Sequence, residues 1–298
     1  MTKTTLQSTS QTILSPLGRL KSKAIFIRQT RFKPIDLAKQ YTQSTLLSHF
    51  LTALSSSFPD GERFFVETIR NVRDQIQDAS LQADISAFIG QESMHAHAHE
   101  QFNLHIQSSS YHLKRFDAAS RQEMIRLRTL SPRRQLAATV ALEHFTAMIA
   151  GYMLTHPRLI QQLPSNMASL WIWHAVEEIE HKHIAFDVYQ RVFNNLAQRR
   201  RSMRTITIGF LTSTTVMTTY LLWQDRQHSL GSFRQLWQNL KGMGFLAHMV
   251  ISLLPDYFSF YKKDFHPSDI DQTALLEHWR QQLLTNNLVD TNHRSNTA

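Results

Sequence analysis

Residues 173–181 read Trp173-His174-Ala175-Val176-Glu177-Glu178-Ile179-Glu180-His181. On a helix advancing about 100° per residue, His174, Glu178 and His181 fall within about 60° of one another, so two imidazoles and a carboxylate share one face. Glu177 competes with Glu178 as its neighbour. Glu180 begins a second Glu-x-x-His with His183, but it lies about 200° around the axis from Glu178. Three other stretches supply matching donors. Glu92-Ser93-Met94-His95 repeats the Glu-x-x-His spacing, and Glu62 and Glu143 each stand on a further apolar-periodic segment. The order Glu, Glu-x-x-His, Glu, Glu-x-x-His is the one with which four-helix proteins hold a pair of metal ions.

One Glu-x-x-His in a helical chain arises easily by chance on a solvated face. The neighbours argue otherwise here. Glu92 follows Phe88-Ile89-Gly90, Glu143 sits between Leu142 and Phe145, and Glu178 lies near Trp171, Trp173, Val176 and Ile179. A carboxylate in an apolar wall costs several kcal/mol unless it is paired or bound to metal. The further histidines His97, His99, His105 and His183 read as surface or supporting residues rather than ligands.

Composition points the same way. The 298 residues hold 16 histidines and no cysteine, which excludes disulfide scaffolds, thiolate metal sites and cysteine nucleophiles. Eight glycines and eight prolines are about half the usual share, which favours long helices over turn-rich sheets. Apolar periodicity predicts helices over 36–58, from Pro59-Asp60-Gly61 to about 77, from Leu81 onward with only Gly90 interrupting before Pro132, over 132–155, over 167–196, around 245–254 and over 269–284. The expectation is an all-α chain: residues 60–196 give a four-helix core, with additional C-terminal helices.

The net charge of +9 is unevenly spread, because residues 1–35 carry seven basic residues and no acid. Residues 1–33 therefore read as a basic, flexible tail, 34–265 as the metal-binding domain, and 266–298 as a polar helix and tail. No helix-turn-helix, RNP or zinc-finger pattern accompanies the charge, so nucleic acid is not an expected partner. The start has no apolar signal segment, which reads as cytoplasmic. Residues 205–224 are twenty without a charge, after the Arg199-Arg200-Arg201 cluster, and 242–255 form a shorter apolar run. Their length leaves a membrane surface open as a partner, although the threonine content of the first favours a buried or interfacial helix over a spanning one.

The strings Phe58-Pro59-Asp60-Gly61-Glu62, Gly90-Gln91-Glu92-Ser93-Met94-His95, Ala141-Leu142-Glu143-His144-Phe145 and His174 through His181 resemble the bacterial family of predicted metal-dependent hydrolases. The resemblance covers most of residues 33–265. It implies a ferritin-like bundle, and its His-x-x-x-Glu-x-x-His element is similar to that of di-iron aminoarene N-oxygenases, which use an extra histidine ligand. By that resemblance the ligands are Glu62, Glu92, His95, Glu143, His174, Glu178 and His181. They would hold two iron ions, with manganese or zinc as alternatives. The expected function is a di-iron oxidase or oxygenase of a small or lipid-like organic substrate, served by an electron donor. Two-metal hydrolysis, as the family description states, and non-enzymatic iron handling are the alternatives, and a homodimer stays open. No Gly-x-Ser-x-Gly nucleophile motif accompanies the hydrolase description.

Overall fold

The structure is a computed structural model that describes residues 25, 27–30, 32, 40–108 and 114–290. Within them the chain folds into α1 (Thr45–Arg70), α2 (Ala79–Ser108), α3 (Lys114–Arg128), α4 (Pro132–Thr155), α5 (Ser165–His181), α6 (Ile184–Val192), α7 (Leu196–Gln224), α8 (Arg226–Ser229), α9 (Phe233–Ser259) and α10 (Thr273–Thr285). One antiparallel ladder pairs β1 (Gln29–Thr30) with β2 (Val289–Asp290). The all-α expectation holds. Helices α1, α2, α5 and α4 close into a four-helix ring, each packed on the next, while α7 and α9 lie outside against α1 and α4.

The apolar core is divided in two. One part gathers Leu51, Leu54, Phe102, Leu170 and Trp173, the other Phe64, Ile85, Phe88, Ala141 and Phe186. Helices α1, α2 and α4 run from one part to the other, while α5 lines the first and α6 the second, and a polar layer crosses the bundle between them. The two apolar parts grip the helices on either side of that layer, each fully buried Leu or Phe contributing about 1.5–3 kcal/mol.

The predicted interruption at Pro59-Asp60-Gly61 does not occur, since α1 runs unbroken through Pro59. Proline has no N–H for the carbonyl one turn earlier, which normally kinks or ends a helix. Here that carbonyl, Ser55 O, accepts instead from the Asn103 side-chain amide of α2 at 2.9 Å. The helix continues, and Glu62 follows one turn later on the inward face.

Conversely, the single helix expected over 167–196 is two. It stops after His181, and α6 starts at Ile184. Lys182 is drawn outward there, its ammonium donating to Ile270 O at 2.6 Å and to Gln272 Oε1 at 2.8 Å. Asn194, at φ 42, then turns the chain into α7, a left-handed conformation that asparagine tolerates better than most residues. Helix α9 is longer than the 245–254 stretch and passes through Pro255, and α3 is a separate helix within the uninterrupted segment after Leu81.

Residues 1–24 of the expected tail, and the boundary at 33–34, lie outside the described residues. Arg28 does not behave as tail, because it is buried. Ile27 crosses α2 so closely that a Cβ at Gly90 would run into its side chain. The C-terminal helix is likewise part of the body: Trp279 donates to Leu154 O at 3.1 Å, and Arg280 reaches Glu180.

Asn103→Ala is expected to lower stability by about 1–3 kcal/mol by stranding Ser55 O. Pro59→Ala, which returns an N–H to that carbonyl, should recover part of the loss, with a coupling of about 1 kcal/mol in a double-mutant cycle. Strictly additive losses in urea unfolding would remove the link between the two residues.

Candidate metal centre

The polar layer contains all seven residues singled out from the sequence, and each is at most 4% exposed. Glu62 comes from α1, Glu92 and His95 from α2, Glu143 from α4, and His174, Glu178 and His181 from α5. Glu178 Oε1 is the hub. It lies 2.9 Å from His174 Nε2, 3.5 Å from His95 Nδ1 and 3.7 Å from His181 Nε2. Glu92 Oε1 is 3.0 Å from His181 Nε2, and Glu62 Oε1 is 3.6 Å from His174 Nε2. Two groups have ligand atoms within 4.8 Å of one another: Glu92, His95, Glu178 and His181, and Glu62, His95 and His174. Glu143 belongs to neither; its Oε2 stands 3.1 Å from His181 Nδ1.

Many of these atoms have no hydrogen-bond partner. Both oxygens of Glu62 and of Glu92, Glu143 Oε1, Glu178 Oε2, His95 Nδ1 and His181 Nε2 are buried without one. Buried polar groups are paired in nearly all folded proteins, so eight orphans in one layer call for an occupant that accepts their lone pairs. A cation suits both the donor types and the excess of carboxylates. Oxygens and imidazoles without thiolate fit iron, manganese or zinc.

Charge balance without an ion is strained. Burial, followed by the fields of neighbouring carboxylates and against that of His95, pushes the Glu62 carboxyl well above the usual range. Burial and Glu92 push Glu143 up to about 8. Burial opposes charge on Glu178 too, yet the field of His181 outweighs it and holds this carboxyl well below the usual range. Burial is likewise overcome at His95, which Glu177 and Glu178 bring up to about 10. Protons thus do in part what bound cations would do.

Two supports behind the layer were not foreseen. Glu177 Oε2 sits 3.1 Å from His95 Nε2 and Glu177 Oε1 3.1 Å from Arg28, so the carboxylate turns Nδ1 of His95 inward. Glu180, set aside above because it points away from Glu178, is indeed off the metal-facing side but fully buried. Arg28 grips both its oxygens at 2.7 and 2.8 Å, Arg280 donates at 2.6 Å and Gln91 at 2.9 Å. The Glu177 and Glu180 spacing marks a second polar stripe on α5. Nothing local marks Arg28, about 150 residues away, as its partner.

The second support is a directed chain. Ser55 O can only accept, so the Asn103 atom beside it is the amide nitrogen. The Asn103 oxygen then accepts from Ser55 Oγ at 2.8 Å. Having given its proton, Ser55 Oγ accepts from His99 Nδ1 at 2.8 Å. Burial, His174 and His95 hold His99 neutral, so its bare Nε2 accepts from His174 Nδ1 at 2.7 Å. His174, lowered to about 4 by burial and His95, is left with a lone pair on Nε2 facing two carboxylates. That lone pair is in position for a metal. His99 is therefore a supporting residue, whereas His97 is exposed and His105 and His183 are half-buried. Aromatic rings close the layer: Phe58 against His174, Phe88 against His181 and Trp173 against His95, at 4.8–5.0 Å between centroids.

Comparison with known families gives one match, a family described as predicted metal-dependent hydrolase, over residues 27–271. That span begins at Ile27 beside Gly90 and includes every residue of the layer. No curated protein and no solved structure matches.

His99→Phe is expected to weaken metal binding about 10–100-fold in titration calorimetry by releasing the His174 tautomer, while His97→Ala leaves it unchanged. Equal effects would break the chain. Glu180 gives a pH test. Burial opposes its charge, but Arg28 and Arg280 hold it below the usual range. A depressed carboxyl stabilises the fold above the unfolded value, 4.5, and loses that contribution as pH falls through the folded one. Glu180→Gln should cost about 3 kcal/mol near neutrality, with variant and parent converging below pH 4.5 in chemical denaturation.

Proposed function

The chain belongs to the family of predicted metal-dependent hydrolases, and on that premise we propose that it is a metal-dependent hydrolase with two ions held between α1, α2, α4 and α5. The observation that carries this reading is the pair of donor groups that overlap at His95, with eight of their and Glu143's buried atoms making no hydrogen bond. Glu92, His95, Glu178 and His181 form the first set of ligands and Glu62 and His174 the second. Glu178, whose Oε1 lies 2.9 Å from His174 and 3.7 Å from His181, would serve both sets, and Glu143 stands beside His181. Ions bound there supply Lewis acidity toward a substrate oxygen and make a water acidic enough to attack near neutral pH.

The protein's own groups set the conditions. Glu177 and the Ser55–His99 chain turn Nδ1 of His95 and Nε2 of His174 inward, so the imidazoles do not have to reorient on binding. Burial favours the protonated form of Glu62, so ion uptake there releases protons and strengthens with rising pH. Phe58, Phe88 and Trp173 pack on the imidazoles and exclude bulk water from the layer. A second reading, dioxygen chemistry at iron, is favoured by the donor set itself. Four carboxylates and two imidazoles in the order Glu, Glu-x-x-His, Glu, Glu-x-x-His are the ligands of helical di-iron proteins, and His174 stands beside them as a third imidazole.

Purified protein is expected to carry about two metal ions per chain by elemental analysis, and none after metal-supplemented expression would end both readings. Manganese- or zinc-loaded protein should hydrolyse members of an ester and phosphoester panel, with loss of activity in Glu178→Gln. Inertness toward the whole panel, together with stoichiometric oxygen uptake by the reduced iron-loaded protein, would overturn hydrolysis in favour of the second reading.

A further inference from the structure

We propose that the outer faces of α7 and α9 form a docking surface for an anionic lipid bilayer. The two helices make an antiparallel hairpin on the outside of α1 and α4. Their near ends are joined through 225–232, and at their far ends Thr207 meets the Tyr257 hydroxyl at 3.1 Å and Arg200 donates to Tyr261 O at 2.7 Å. The inner face of α9 is committed to the body. Met249 and Gly242 are buried, and a Cβ at Gly242 would press on Ser44 and Leu47.

The opposite face of α9 is just as apolar and is open. Phe233 is 84% exposed, Ile251 66% and Phe258 61%, with Trp237, Leu240 and Met243 at 50–54%. At about 100° per residue these six lie on one stripe about 120° wide along the length of the helix. Helix α7 adds Ile208, Leu211, Val216 and Trp223, each at least half exposed. Among the described residues two helices, α4 and α7, are long and apolar enough to cross a membrane, but 83% of that stretch of α4 is buried in the bundle and only 17% of that of α7. The apolarity of α4 is explained by the core, that of α7 is not. Open apolar surface of this extent marks an interaction site.

Charge selects the occupant. Residues 196–263 carry nine basic side chains and two acidic ones, an excess of positive charge as large as that of residues 1–35. Exposed Arg201, Arg204, Lys262 and Lys263 stand at one end, and Arg226 and Arg234 at the other. Two exposed tryptophans are paired with cations, Arg226 at 5.1 Å over Trp223 and Lys241 at 5.7 Å over Trp237. An apolar stripe with basic ends and tryptophan beside basic groups suits the boundary between headgroups and acyl chains of an anionic membrane. A second copy of the chain would bring the same excess of positive charge against it. Because the inner sides of α7 and α9 stay packed on the bundle, the hairpin lies on the bilayer rather than through it. This surface involves none of the proposed metal ligands and stands apart from the metal chemistry.

The test is co-sedimentation of the full chain with vesicles of phosphatidylcholine alone or mixed with phosphatidylglycerol. Binding is expected to the mixed vesicles, to weaken with added salt, and to fall about tenfold or more in Leu240→Asp/Ile251→Asp and in Arg201→Glu/Lys263→Glu, with helix content by circular dichroism unchanged. Absence of binding, equal binding to neutral vesicles, or variants that bind like the parent would overturn the proposal. So would a concentration-dependent dimer that Leu240→Asp/Ile251→Asp dissociates, since that outcome assigns the face to a second copy.

Discussion

Four carboxylates at the centre of an apolar bundle have given up water and stand within each other's field, and they can remain there only against positive charge. Much of the structure follows from this constraint. Three imidazoles are interleaved with the four carboxylates, and Glu178 Oε1 is the atom on which all three converge. Arg28 and Arg280 neutralise the next pair of carboxylates outward, Glu177 and Glu180. Among the described residues no arginine pairs with the innermost oxygens. Their missing partners therefore point to a cation that is not a side chain, and the two apolar half-cores act as walls that keep water from taking its place.

How much of this the sequence makes legible depends on the range of the cause. Helical periodicity is local, so the order of donors on four helices and the shared face of His174, Glu178 and His181 can be read directly. The break expected at Pro59 is wrong because its remedy is distant. The amide that replaces the missing N–H comes from Asn103, 48 residues along the chain from Ser55. Arg28 was hidden for a related reason, because a basic residue in a Thr/Ser-rich stretch has no periodic pattern, and its burial is decided only when Glu177 and Glu180 meet it. The stop after His181 likewise depends on Lys182 finding Ile270 and Gln272.

The same remote contact that repairs α1 also aligns the site. Asn103 is fixed by the carbonyl that Pro59 leaves unpaired, and its fixed orientation sets the direction of every hydrogen bond through Ser55 and His99 to His174. A residue that reads as a helix breaker thus takes part in determining which ring nitrogen faces the carboxylates. Had α1 ended at Phe58, as local rules suggest, Glu62 would have no defined place opposite His174, and the second donor group would lose both its carboxylate and its imidazole tautomer.

The placement of the α7–α9 hairpin relates the interior of the protein to its surface. Helices α1 and α4, which bring Glu62 and Glu143 to the polar layer, are the helices on which α7 and α9 rest. Packed helix axes are about 8–10 Å apart, so the open apolar stripe lies one helical layer from the proposed ligands. Every one of those ligands is nearly sealed from solvent, and the rings nearest them are aromatic rather than polar. An aqueous, highly charged substrate would have to shed its hydration to enter such a layer, whereas a small apolar or lipid-derived one would have little to lose. The enclosure of the site and the apolar outer face are thus separate features of the fold, resting on separate residues and separate physical arguments.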